Sequence, residues 1–155
     1  MNYELVNDEI FRTVGKYMDG ISINHYQKWE PDATAMQNWA TWSGKPFMVT
    51  EFYVKGEDSG LPNNTGAGWN VRTQAERGYF YQNFVLGLLR SKVCVGWHWF
   101  TYMDNDPENE NTDPSNRDSN KGMVMWNFKD YVPLQENMQA INDNVYLLTR
   151  FYDQQ

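Results

Sequence analysis

The run Lys45-Pro46-Phe47-Met48-Val49-Thr50-Glu51-Phe52-Tyr53 delivers one carboxylate at the end of an apolar stretch. Pro46 has no N–H to give to a ladder and suits the first residue of a strand. Phe47, Met48 and Val49 predict a short strand buried on both faces, as in a parallel sheet covered by helices. Glu51 falls where that strand emerges, which is where α/β barrels hold their reactive groups. A carboxylate there, among aromatic residues, suits glycosyl transfer, in which one carboxyl attacks the sugar and a second moves a proton. A Glu that pairs with a cation or simply faces water fits the same segment. Both readings stand at this point.

The elements that must position Glu51 can be read on either side of it. Ile10, Phe11, Val14 and Tyr17 recur at helical spacing over residues 7–18, and Asp19-Gly20 ends that helix. Ile21-Ser22-Ile23-Asn24-His25-Tyr26 predicts a strand with polar and aromatic groups at its exit. Asp32 or Thr34 can cap a helix over 33–42, which Ser43-Gly44 stops. Residues 56–70 are rich in Gly and Asn and form a long loop, a length that in compact domains usually serves function. Thr73-Gln74-Ala75-Glu76 matches a capping box and opens a helix to about Ser91, with Ala75, Tyr79, Gln82, Phe84, Val85 and Leu89 toward the core.

Val93-Cys94-Val95-Gly96-Trp97-His98-Trp99-Phe100 predicts a third strand, followed by a second long, acidic loop over 104–120. Residues 123–128 suit a short extended piece. Pro133 suits the first turn of one closing helix carrying Leu134, Met138, Ile141, Val145 and Leu148. Helices and strands therefore alternate, which implies right-handed crossovers and a parallel sheet. Both long loops follow strands, as at the working face of a barrel. Three strands cannot close a barrel, which needs eight and typically about 250 residues. Either the sheet is open and small, or the chain is the last part of a larger barrel.

With 155 residues, the chain has the size of one ordinary domain. Its 7 Trp, 10 Tyr and 8 Phe are many, and Trp in loops often supplies flat platforms for ligands. The net charge of −7 argues against nucleic acid, whose phosphates demand clustered Lys and Arg, and against an anionic membrane surface. A neutral sugar polymer is not repelled. Cys94, the single cysteine, sits in an apolar run and reads as a core residue. No Cys/His zinc pattern exists, His25 and His98 share no metal-ligand spacing, and no cofactor is expected. No apolar run reaches the length of a membrane span. Met1-Asn2-Tyr3-Glu4 lacks the features of a signal peptide, so an export signal would lie outside this chain. Asn63-Asn64-Thr65 fits the glycosylation pattern, a frequent chance match. Asp104-Asn105-Asp106-Pro107-Glu108 lacks the Gly and final Glu of a calcium-binding EF-hand loop.

Three segments together resemble the last three strands of clan A retaining glycoside hydrolases: residues 21–26, residues 45–52, and Gly96-Trp97-His98-Trp99-Phe100-Thr101-Tyr102-Met103-Asp104. The likeness is greatest to the β-agarase type, glycoside hydrolase family fifty. That family has a similar strand end at Glu51, a Gly-rich loop, an Arg-containing helix start, and a segment resembling Ser119-Asn120-Lys121-Gly122-Met123-Val124. The resemblance covers residues 7–150. It implies an α/β fold that is the C-terminal portion of a (β/α)8 TIM barrel, with residues 1–155 forming part of a catalytic domain, its last three βα units. It further implies a polysaccharide or oligosaccharide substrate, a galactan such as agarose among the possibilities. A secreted, periplasmic or cell-surface bacterial full-length protein is also implied.

Carried over residue by residue, Glu51 resembles the catalytic nucleophile at the end of the seventh strand. Tyr26 would hydrogen-bond it and hold it ionised and oriented, with His25 sharing the role. Trp99 resembles the platform under the sugar at the cleavage point. Alternation places Trp97 with Trp99 and His98 on the opposite face, so either His98 or Trp97 is structural. Asp104, Asn120 and Trp69 lie in or beside the long loops, where contact with further sugar units is the expectation and a solvated loop residue the alternative. The acid/base Glu of the clan follows an Asn at the end of the fourth strand, which this chain does not contain. Asn109-Glu110 lies in a loop and Asn7-Asp8 at a helix start, so neither replaces it. The expectation is a glycosidase portion that binds its missing barrel half or self-associates. A non-catalytic module binding carbohydrate or protein is the alternative.

Overall fold

The computed structural model describes residues 7–155. Residues 1–6, with the Met1–Glu4 stretch read for export features, lie outside the described residues. Helix α1 (Asp8–Tyr17) starts at Asn7, whose side chain accepts the Glu9 N–H, and buries Phe11. Strand β1 (Ile21–Asn24) leads to α2 (Ala33–Ser43). Of the two candidate caps for α2, Asp32 takes the role, accepting the Ala35 N–H at 2.8 Å. Gly44 ends the helix at φ 64°, a left-handed conformation that glycine adopts without a Cβ penalty. Strand β2 (Phe47–Glu51) follows.

The loop after β2 has more order than its composition predicts. It holds a two-residue parallel ladder between β3 (Lys55–Gly56) and β4 (Asn70–Val71). Helix α3 (Gln74–Arg90) begins where the capping box predicts, with Thr73 Oγ1 accepting the Glu76 N–H at 3.2 Å. Of its expected core face, Phe84, Val85 and Leu89 are buried, Ala75 and Gln82 partly so, and Tyr79 is not. Phe80, Tyr81, Phe84, Val85 and Leu88 are covered, whereas Tyr79 is 60% exposed. Strand β5 (Cys94–Trp97) completes the sheet, and the predicted single closing helix is two: α4 (Val132–Asn142) and α5 (Val145–Asp153). The break falls in Asn142-Asp143-Asn144, where the Asn144 side chain bonds the Ala140 carbonyl. Short polar side chains of this kind compete for backbone groups and weaken a helix interior.

The three main strands form a parallel sheet in the order β1-β2-β5. Ile21, Ile23, Phe47, Val49 and Phe52 lie on the face that packs with Trp39, Phe84 and Leu88 of α2 and α3. The opposite face carries Ser22, Met48, Thr50 and Val95 and, among the described residues, has no helix over it; Val95 is 67% exposed. The expectation that β2 is buried on both faces is therefore corrected. In a closed barrel the second face is enclosed by the remaining strands, and three strands enclose nothing. No helix among the described residues is long and apolar enough to cross a membrane.

His25 is also corrected. It does not face Glu51 but lies buried on the covered side, edge-on to Trp39 at 5.4 Å and against Phe84 at 5.6 Å. Its Nε2 accepts the Asp32 N–H at 3.4 Å. Burial chiefly, with Lys28 adding to it, holds the imidazole down to about 4 against its usual 6.5.

Two outcomes follow from this packing. A Cβ at Gly15 of α1 would meet the Ser43 carbonyl oxygen of α2 at 2.0 Å, a clash with backbone that no rotamer relieves. Gly15→Ala gains roughly 1 kcal/mol of helix propensity but forces the helices apart at a cost of about 1–3 kcal/mol. Urea denaturation should therefore show net destabilisation, while Gly20→Ala, whose Cβ meets only the Pro46 carbonyl at 3.5 Å, should be near neutral by comparison. For His25, between pH 6.5 and about 4 the unfolded chain binds a proton that the folded chain refuses. Stability thus falls as pH drops through that window, by up to about 3 kcal/mol. His25→Gln should flatten the dependence of unfolding free energy on pH there; an unchanged slope would show that His25 is not its source.

Candidate functional site

Glu51 reaches the open face of the sheet through an irregularity in β2. Ile23 lies opposite Val49 and Asn24 opposite Glu51, so Thr50 is an extra residue in the ladder. Strict alternation would turn Glu51 toward the helices with Val49. The bulge reverses this, as bulges commonly re-aim a side chain. Thr50 Oγ1 then sits 2.7 Å from Ser22 Oγ and 3.2 Å from Asn24 Oδ1. Phe52 is returned to the core, stacked on Phe84 at 4.5 Å.

Tyr26, just beyond β1, donates its hydroxyl to Glu51 Oε2 at 2.6 Å. Burial first, and then this hydrogen bond to a carboxylate, push the phenol well above its ordinary range, so it remains a donor. The bond occupies one carboxylate oxygen and leaves Oε1 for other chemistry. Behind the pair stands Tyr53, buried and edge-on to Tyr26 at 5.6 Å. Burial also raises its phenol, opposed by hydrogen bonds with Ser119 and the backbone of Gly68 and Ala67. Phe100 packs against Tyr53 at 5.8 Å, and Lys121 Nζ lies 5.3 Å from the Phe100 ring centre. The sequence reading missed Tyr53, Phe100 and Lys121. Tyr53 carried a signal in its place two residues beyond Glu51.

Trp99 stands at the same rim but not in the same place. Trp97 and Trp99 do share a face, and that face is the helix-covered one. Trp97 Nε1 donates to Tyr81 at 2.8 Å. Trp99 is 9% exposed, packed edge-on against Phe52 at 5.5 Å, with Nε1 donating to the Lys121 carbonyl at 2.7 Å. Trp99 thus packs into the core on the helix-covered side, with the Arg77 guanidinium over its ring, although it also borders a cleft with Trp97, His98 and Tyr102. His98 takes the opposite side and is exposed.

Asp104 and Asn120 are corrected as ligand contacts. Asp104 is buried and accepts from Lys121 N at 2.8 Å, Gly122 N at 2.6 Å, Asn120 Nδ2 at 3.0 Å and Tyr131 Oη at 2.7 Å. Asn120, equally buried, accepts from the Gly56 N–H and from Gln74. Neither has capacity turned toward a ligand. Asn63, the residue of the glycosylation pattern, is buried in the same network, donating to the Gly56 carbonyl. Trp69 is exposed and lies 4.7 Å from Trp29.

No protein-family model matches the chain. It is 30% identical over 145 residues to Beta-agarase B of Vibrio sp. (strain JT0107), an alignment spanning 92% of this chain and 14% of that protein. The crystal structure of BpGH50 superposes with a TM-score of 0.86 at 48% identity, over 96% of this chain and 30% of that one. An exo-β-agarase structure shares the fold, with a TM-score of 0.77 at 24% identity over 91% of this chain and 18% of its own. The chain thus spans less than a third of each of these relatives. It resembles the C-terminal portion of clan A retaining glycoside hydrolases with a TIM barrel, and most of all the β-agarase type of family fifty.

Proposed function

We propose that this chain carries the nucleophile-bearing rim of a retaining glycoside hydrolase that cleaves a neutral galactan of the agarose kind. One observation carries the reading: Tyr26 donates to Glu51 Oε2 at 2.6 Å, at the C-terminal rim of a parallel sheet and on the face without helices. Ligands of parallel α/β sheets bind at that end of the strands. The similarity to Beta-agarase B supports the choice of sugar.

In this reading Glu51 attacks the anomeric carbon with the oxygen that Tyr26 leaves unoccupied, and a covalent glycosyl–enzyme ester forms as the glycosidic C–O bond breaks. A second carboxyl, about 5–5.5 Å away in retaining enzymes, protonates the departing oxygen and then deprotonates the water that hydrolyses the ester. That acid comes from outside this chain. Tyr26 acts on the nucleophile rather than on the sugar. Its hydrogen bond favours the ionised carboxylate and limits its rotation. The remaining strands of the barrel supply the acid and enclose the open face. β1 and β5 are the edges of the sheet, and unpaired edges are templates for further strands. A cleft of about 520 Å³ lined by Tyr81, Trp97, His98 and Tyr102 adjoins β5.

Two experiments test this. In the complete protein, Glu51→Gln should lower kcat at least about a thousandfold while oligosaccharide affinity stays within a few-fold, because the amide keeps the shape but cannot form the ester. Tyr26→Phe should lower kcat by about ten- to a hundredfold with little change in KM. Near-normal turnover by Glu51→Gln would remove Glu51 from the nucleophile's role. Separately, the 155-residue chain alone should associate, with itself or with the separately expressed remainder of the protein, in light scattering coupled to gel filtration. A monodisperse monomer with cooperative unfolding would mean that the open face needs no partner.

A further inference from the structure

We propose that Trp29 and Trp69 form a second sugar platform, apart from Glu51, that stacks on one hexose of a neutral polysaccharide already engaged at the Glu51 rim. The proposal rests on the reading above for its ligand class, and its own evidence lies in a different pair of side chains. Trp29 belongs to the segment after β1, three residues past Tyr26, and Trp69 closes the long loop after β2. Their ring centres are 4.7 Å apart with planes at 54°, an open V rather than a stack. They remain 50% and 38% exposed.

Both are anchored. The Trp29 carbonyl accepts from Asn83 Nδ2 at 2.9 Å, and its ring meets Phe80 edge-on at 6.1 Å. The Trp69 carbonyl accepts the Lys55 N–H at 2.8 Å. Lys55 is fixed in turn, its ammonium donating to the carbonyls of Asn63 at 3.0 Å and Thr65 at 2.9 Å. Two indoles held by their backbones yet left half in water are a preformed apolar surface, with little ordering left to do when a ligand arrives.

Charge and continuity choose the occupant. A net charge of −7 disfavours an anionic ligand. A pyranose offers a patch of C–H groups to an aromatic ring and keeps its hydroxyls for water and for polar neighbours, here the exposed Asn70 and Asn83. The platform is also joined to the Glu51 rim. Gly68, beside Trp69, lies so close to Tyr53 that a Cβ would meet its carbonyl oxygen at 2.6 Å. Tyr53 abuts Tyr26, which bonds Glu51. Buried Tyr53 thus links the Glu51 rim to the loop that carries Trp69, and a platform set apart from Glu51 serves long oligosaccharides and not short ones.

The test compares agar-derived di- and hexasaccharides on the complete protein by titration calorimetry in a Glu51→Gln background. Trp29→Ala and Trp69→Ala should each weaken hexasaccharide binding about tenfold and leave the disaccharide unchanged, with Trp69→Phe recovering part of the loss. Should an alanine variant unfold by circular dichroism, Trp29→Gln and Trp69→Gln take its place with the same expectation. Hexasaccharide affinity within twofold of the parent in both variants would overturn the platform, as would a parent that binds both sugars alike. Turnover by Glu51→Gln, measured in parallel, would overturn the catalytic reading and leave the two affinities to decide the platform alone.

Discussion

The rim of the sheet hangs on one buried cation. The Arg77 guanidinium, fully buried at the start of α3, donates to the Val54 carbonyl at 2.9 Å, to Gln74 Oε1 at 2.7 Å and to the Gly122 carbonyl at 3.0 Å. It also lies over the rings of Trp99 and Tyr131. Those partners come from the loop after β2, from α3 itself and from the loop after β5, so a single side chain ties together the segments that frame Glu51. Burial lowers the guanidinium to about 10, and the Asp104 charge works against that. It stays protonated at neutral pH. Asp104 receives Lys121, Gly122, Asn120 and Tyr131 in turn. Buried charges persist when their hydrogen-bonding capacity is met, and removing one member strands the others. The long loops therefore behave as a frame rather than as free connections.

How much of this was legible in the sequence depends on the range over which each cause acts. Local causes were readable. Asp32 and Thr73 cap their helices because a side-chain oxygen meets an N–H three residues on, and Gly44 stops a helix for a reason internal to that residue. The parity of Trp97, His98 and Trp99 followed from the pleat. What the pleat cannot say is which face the helices cover, and that choice puts Trp99 on the packed side. Asp104 and Asn120 read as ligand contacts because polar residues in a loop after a strand invite that reading. Their partners at residues 56, 74 and 131 are brought to them only by the fold.

The bulge at Thr50 shows the same division at the scale of a single residue. One extra residue in a five-residue strand moves Glu51 from the helix-covered side to the open one and moves Phe52 the other way. Nothing in Phe-Met-Val-Thr-Glu-Phe announces the insertion. Its cause lies across the ladder, where Ser22 and Asn24 offer Thr50 hydroxyl partners on the open face. Contact between Tyr26 and Glu51, 25 positions apart, came from the family resemblance and not from any local pattern.

These placements divide the rim by face. Side chains toward the helices, His25, Phe52, Trp97 and Trp99, are packed against aromatic neighbours and hold the strand ends in register. Side chains toward the open face, Tyr26, Thr50, Glu51 and Phe100, are polar or partly exposed and have no helix to pack on. A carboxylate on a face open to water is weakly directed, because water competes for every hydrogen bond and screens every charge. Tyr26 restrains Glu51 locally, but exclusion of water needs walls. The sheet provides one wall, bounded among the described residues by β1 and β5. The two faces thus do different work: the helix-covered one holds the aromatic core, while Glu51 and Tyr26 meet on the face that no described helix covers.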